Sequence, residues 1–150
     1  MVAGLAAALV IAVAMIRSPA TSTAVDGILV GDFRNHTHDS LLAGAVAEAL
    51  RVDLSQSHRA RVMTRTQVQT VLELMRRPNG DLVSDSVVRE VAERYGVKAF
   101  ITGDVASLGS SFTVSAELIS VKGGEILASV RESAADSTGL LRAVDRVSSA

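Results

Sequence analysis

Val2 to Ile16 reads VAGLAAALVIAVAMI, fifteen residues with no charge and no strong hydrogen-bonding side chain. This run constrains the chain most, because so much continuous apolar surface must be withdrawn from water as a unit. As a helix it rises only ~23 Å, against a hydrocarbon core of ~30 Å. Arg17 ends it and Ser18-Pro19 follow. Three placements compete: a transmembrane or signal-anchor segment over residues 1–17, a cleaved signal peptide, and a buried core helix. Ser22-Thr23-Ala24 supplies a small-x-small pattern for cleavage, but no Lys or Arg precedes the run to form a basic n-region. A core helix is poorly served, since no polar face recurs at helical spacing. The sequence is therefore read as an anchor through residues 2–16, a small polar linker over 18–26 (SPATSTAVD) and a folded domain over 27–150. An apolar run starting at residue 2, and a helical pattern over 140–147 still running near Ala150, suggest a piece of a larger protein.

The rest of the chain switches periodicity repeatedly. Ile28-Leu29-Val30, extended to Phe33, is apolar without alternation and suits a strand buried on both faces. Asn35 to Ser40 (NHTHDS) reads as a polar loop, with Asp39 or Ser40 capping a helix over 40–55. That helix carries Leu41, Leu42, Ala45, Val46, Ala49, Leu50 and Leu54 at helical spacing. A short strand, Ala60 to Met63, precedes Thr64-Arg65-Thr66-Gln67, which matches a capping box. The helix it opens shows Val68, Val71, Leu72 and Met75 on one face and meets Pro78-Asn79-Gly80. Another begins near Asp85, turns Val87, Val88, Val91 and Ala92 inward, and reaches Gly96 where a left-handed cap is wanted. Three strands follow: Val97 to Val105, an alternating stretch over 112–118, and Ile126 to Val130 after the turn signal Lys122-Gly123-Gly124. Asp136-Ser137 caps a last helix. The order is β-α-β-α-α-β-β-β-α, which makes an α/β (α+β) domain with a mixed sheet of about five strands covered by helices.

Composition and motifs narrow the chemistry. The net charge is -1, which argues against a nucleic-acid binder. Cysteine is absent, so the chain has neither disulfides nor thiolate chemistry. Aromatics make up 3%, too few for stacking platforms. No G-x-x-x-x-G-K-[ST], G-x-G-x-x-G or G-x-S-x-G occurs. Asp32-Phe33-Arg34 resembles a kinase D-F-G in letters only, and no H-R-D accompanies it. His36-Thr37-His38-Asp39 groups metal-type ligands, but a closed zinc site needs about four and His58, the third histidine, lies past a helix. Asn35 and Asp39 are expected instead to tie down loop backbone. Arg76-Arg77, with Arg59, Arg61 and Arg65, forms a modest basic patch, read as a solvated face or as a contact for an acidic partner or lipid head groups. The residues nominate no catalytic, cofactor or metal site and no cofactor.

Several stretches together resemble the family of the TolB amino-terminal domain. They are Ile28-Leu-Val-Gly-Asp-Phe-Arg-Asn-His-Thr, Ala47-Glu-Ala-Leu-Arg-Val-Asp-Leu, Ala60-Arg-Val-Met-Thr, Val91-Ala-Glu-Arg-Tyr-Gly-Val-Lys-Ala-Phe-Ile-Thr-Gly-Asp-Val and Ser115-Ala-Glu-Leu-Ile-Ser-Val-Lys-Gly-Gly-Glu-Ile-Leu-Ala. The resemblance covers about residues 27–133 and rests on order and spacing. The chain departs from the family pattern in its His36/His38 pair and its short 78–80 link. In relatives of this layout a membrane helix precedes the domain, tetratricopeptide repeats follow it, and a serine/threonine kinase or cyclase often lies upstream. The resemblance implies a single-pass inner-membrane protein whose domain sits outside the cytoplasm. The expected function is a non-catalytic interaction or sensor domain that contacts a protein partner through the 97–105 strand region or a sheet edge. The alternative is a small-ligand or metal-binding receptor that uses the loop 34–40.

Overall fold

A computed structural model of the chain describes residues 25–56, 60–78, 82, 84–136 and 139. Residues 2–16, the linker residues 18–24, His58, Arg59 and the expected last helix lie outside the described residues. Among the described residues no helix is long and apolar enough to cross a membrane.

The described elements run β1 (Val25–Val30), β2 (Arg34–His36), α1 (Leu42–Gln56), β3 (Ala60–Val62), α2 (Arg65–Leu74), α3 (Asp85–Tyr95), β4 (Ala99–Leu108), β5 (Ser111–Ser120) and β6 (Ile126–Ala134). They form a mixed α+β fold with six strands and three helices among the described residues. The sheet order is β3-β1-β4-β5-β6, with β2 pairing β4 beyond the end of β1. Pairs β1–β3, β1–β4 and β2–β4 are parallel, and β4–β5 and β5–β6 are antiparallel. Through β6 the expected order holds with one correction. Residues 34–36, read as the start of a polar loop, are a strand. The chain leaves β1 at Gly31 and Asp32, short of the expected end at Phe33, and returns to the sheet beside β4 as an additional strand. A three-residue polar strand has no apolar alternation to reveal it. At the other boundary, β1 starts at Val25, inside the stretch read as linker.

The helices divide between the two sheet faces, as the unalternating strands require. Ile28, Val30, Ala99, Ile101 and Leu118 point to one side, where α1 packs Leu42, Val46, Ala47, Leu50 and Leu54 onto them. Leu29, Phe100 and Ile119 point to the other, under Val68, Val71 and Leu72 of α2 and Val87, Val88, Val91 and Ala92 of α3. The ends of α2 and α3 follow the sequence signals. Thr64 and Gln67 complete the reciprocal capping box of α2. Gly96 caps α3 at φ 83° in the left-handed region, which glycine enters without penalty. Helix α2 stops at Leu74 with Met75 as its cap, ahead of Pro78. On β6, Ala128 and Val130 pack on the α1 side. Ile126 is exposed, because the β5–β6 register shifts between Leu118 and Ile119.

Candidate functional site: a polar sheet face

Helices α2 and α3 cover their face of the sheet only as far as Phe100 and Ile119. Beyond that row the same face of β4 presents Thr102, Asp104 and Ala106. The β4–β5 register sets Glu117, Ser115 and Thr113 beside them. The β5–β6 register brings Arg131 next to Ser115. On the other flank β2 places Arg34 opposite Asp104 and His36 opposite Ala106. Pairing aligns residues on one face, so these side chains converge. They line a shallow depression of about 360 Å³.

Its centre is an ion-pair cluster. Arg34 donates from Nε to Asp104 Oδ1 at 2.8 Å and from Nη2 to Oδ2 at 2.9 Å, a bidentate pair. His36 Nε2 lies 3.1 Å from the same Oδ1. Arg34 Nη1 also approaches Asp85, in the first turn of α3, at 3.8 Å. The hydrogen bond from Arg34 holds the Asp104 carboxyl below its ordinary value, against partial burial and with help from His36. The same bond raises the Arg34 guanidinium, burial opposes it, and the charges of Asp104, Asp85 and Glu117 reinforce it. On β6, Arg131 Nε donates to Ser115 Oγ at 3.2 Å. Across its four strands the face sets cations on the two outer strands, Arg34 and His36 on β2 and Arg131 on β6, around the anions Asp104 on β4 and Glu117 on β5. Two of its hydroxyls have local partners, Ser115 in Arg131 and Thr113 in Ser133 at 3.3 Å.

The loop 34–40 is divided between two tasks. His36 joins the polar face. Asn35 Oδ1 accepts from Thr37 N at 3.0 Å and Thr37 Oγ1 at 2.8 Å, and Asn35 Nδ2 donates to Asp39 O at 2.7 Å. Asp39 Oδ1 accepts from Leu41 N at 2.9 Å at the start of α1. Asn35 and Asp39 therefore tie down backbone, as expected, and His38 is exposed. Among the described residues no three His, Asp or Glu side chains are grouped to hold a metal ion. Of the basic patch, Arg65 is drawn to Glu48 at 3.1 Å, while Arg61 and Arg76 face solvent. The 97–105 region, offered as a contact strand, is interior: β4 has β1 and β2 on one side and β5 on the other. Its edge is spent on the sheet, and only its polar face is open. Sequence reasoning missed that face. The available signal was a charge, Asp104, inside a largely apolar strand, together with the polar residues Ser111, Thr113, Ser115 and Glu117 at alternate positions of β5.

A protein-family model, described as peptidoglycan-synthase activator LpoB, matches residues 6–129. The chain belongs to the LpoB family. Solved LpoB domains share the fold. The LpoB C-terminal domain from Salmonella enterica superposes with a TM-score of 0.70 at 19% identity, covering 89% of this chain and 97% of that one. The LpoB C-terminal domain from Escherichia coli gives 0.69 at 21% identity, with 86% and 96% covered. TolB from Acinetobacter baumannii gives 0.51 at 18% identity, covering 86% of this chain but 27% of that one. No curated protein sequence matches the chain. The expected TolB family is thus corrected to LpoB, and what remains of the TolB likeness is a related fold. The kinase, cyclase and tetratricopeptide contexts were implied by the TolB resemblance alone, and the family match does not show them.

Proposed function

We propose that this domain is a non-catalytic interaction module that binds and activates a peptidoglycan synthase through the polar face around Arg34, Asp104, Glu117 and Arg131. The observation that carries the reading is the family match over residues 6–129. The face supports the location, because it is the part of the sheet left open by α2 and α3 and it carries charges of both signs. Such a face steers association and sets register more than it supplies raw affinity. Residues 2–16 would tether the domain to a membrane, with the residues between that run and β1 at Val25 as a linker that holds it outside the cytoplasm. The domain over 27–150 would then meet its partner on the peptidoglycan side.

The test is surface plasmon resonance against purified peptidoglycan synthases of the source organism, combined with a glycan-polymerisation assay. The wild-type chain is expected to bind one of them and raise its rate. The double variant Glu117→Lys/Arg131→Glu is expected to lose at least about tenfold in affinity, roughly one desolvated charge contact. Val52→Ser, on the exposed side of α1, should leave binding unchanged. A folded wild-type chain that neither binds nor stimulates any of the synthases would overturn the function. Binding that the double variant leaves intact would overturn the location.

A further inference from the structure

A second depression opens on the opposite flank of the sheet, at the carboxyl ends of the parallel neighbours β1 and β3. It measures about 280 Å³ and is lined by Asp32, Arg51, Arg65, Val68, Gln69, Leu72 and Leu82. In parallel α/β sheets this end of the strands is where small ligands settle, between helices that leave on opposite faces. Here α1 and α2 are those helices. Arg51 comes from α1 and is only 7% exposed. Its Nη2 donates to Val30 O at 3.1 Å and its Nη1 pairs with Glu48. Glu48 in turn accepts from Arg65 Nη2 at 3.1 Å. The Nε of Arg51 is buried with no hydrogen-bond partner among the described residues.

The charges restrict what fits. Arg51 and Arg65 contribute two positive charges, and Glu48 and Asp32 two negative ones. A simple anion would meet Asp32, and a simple cation would meet the arginines. A zwitterion satisfies both ends. Val68, Leu72 and Leu82 supply an apolar wall, and the volume lies just below the usual range for drug-sized ligands, ~300–1,000 Å³. We infer that this crevice binds a free amino acid with an aliphatic side chain, its carboxylate toward Arg51 and Arg65, its ammonium toward Asp32 and its side chain on the Val68–Leu72–Leu82 wall. The inference goes beyond the docking reading and uses a different surface.

The test is a ¹H–¹⁵N NMR titration of the 150-residue chain with leucine, 4-methylpentanoate (the carboxylate without the amine), 3-methylbutylamine (the amine without the carboxylate) and glycine. Leucine is expected to give saturable shifts at the amides of residues 30–33 and 65–72, with the other three at least about tenfold weaker. Asp32→Asn should bring leucine down to the level of 4-methylpentanoate, and Arg65→Gln should weaken leucine by a similar factor. Arg51 is left in place because it holds the β1 carbonyl. Two results on the unmodified chain would overturn the assignment: no saturable shift with leucine, or 4-methylpentanoate binding as tightly as leucine. Neither result bears on synthase binding, so the two readings fail separately.

Discussion

Arg34 on β2 grips Asp104 on β4 with two parallel hydrogen bonds of 2.8 and 2.9 Å. The contact spans seventy residues of sequence and pins a three-residue strand that contributes no buried apolar side chain. Backbone pairing alone is a weak anchor for so short a strand. The ion pair therefore does for β2 what hydrophobic packing does for β1.

Replacing Asp104 with Asn should loosen β2 without unfolding the domain. A charge-assisted bidentate pair is worth more than a neutral bond, but both side chains are more than one-third exposed. Screening reduces the expected loss to ~1 kcal/mol. In calorimetry that is a fall of roughly 4 °C in Tm. Hydrogen exchange should accelerate at residues 34–36 and far less at 99–101.

Acid should remove the same contribution. Asp104 is held below its ordinary value of 3.8, by Arg34 first, against partial burial. Glu48 is held below 4.5: burial works to raise it, and the Arg65 hydrogen bond and the charges of Arg51 and Arg65 together outweigh that. Both groups are depressed in the folded state, so in the acid range the unfolded chain binds more protons and stability rises with pH. Their stabilisation is complete above about pH 4.5 and is lost as pH falls through the lower folded values. Urea titrations between pH 6 and pH 2.5 should show this slope. It should flatten in Asp104→Asn and again in a Glu48→Gln double variant.

Gly103 should tolerate no side chain. A Cβ built there would lie 2.4 Å from Ser115 O and 2.6 Å from Phe33 Cε2. The first of these atoms is backbone of the paired strand and cannot swing away. Gly103→Ala is therefore expected to cost about 2–3 kcal/mol by overpacking, read from the denaturation midpoint. Trimming the ring with Phe33→Leu should not restore it, because the nearest clash remains.

What was legible in the sequence had a local cause. Ile28 to Val30 and Val97 to Ile101 announce strands covered on both sides, and the helices duly fall on both faces. Gly96 and the Thr64–Gln67 box mark helix ends because caps are made by residues close in sequence. The polar face was not legible in the same way. Arg34, Asp104 and Arg131 come together only through the β2–β4, β4–β5 and β5–β6 registers, and register is a property of pairing, not of any one segment. For the same reason His36 read as a neighbour of His38 and Asp39, whereas in the fold its neighbour is Asp104.

The capping box allows a quantitative check on one such local cause. Its two bonds are unequal: Thr64 N donates to Gln67 Oε1 at 2.8 Å, while Gln67 N reaches Thr64 Oγ1 at 3.3 Å. Loss of an N-cap side chain costs ~1 kcal/mol on average, but the longer bond should place Thr64→Ala at the low end. Gln67→Ala removes the shorter bond and also a half-buried side chain, so it should cost more. The two groups share one turn, so the double variant should fall short of the sum by a few tenths of a kcal/mol or more. A double-mutant cycle in urea measures all three values. If Thr64→Ala proves the costlier change, the start of α2 is held by the threonine's other contacts and not by the reciprocal box.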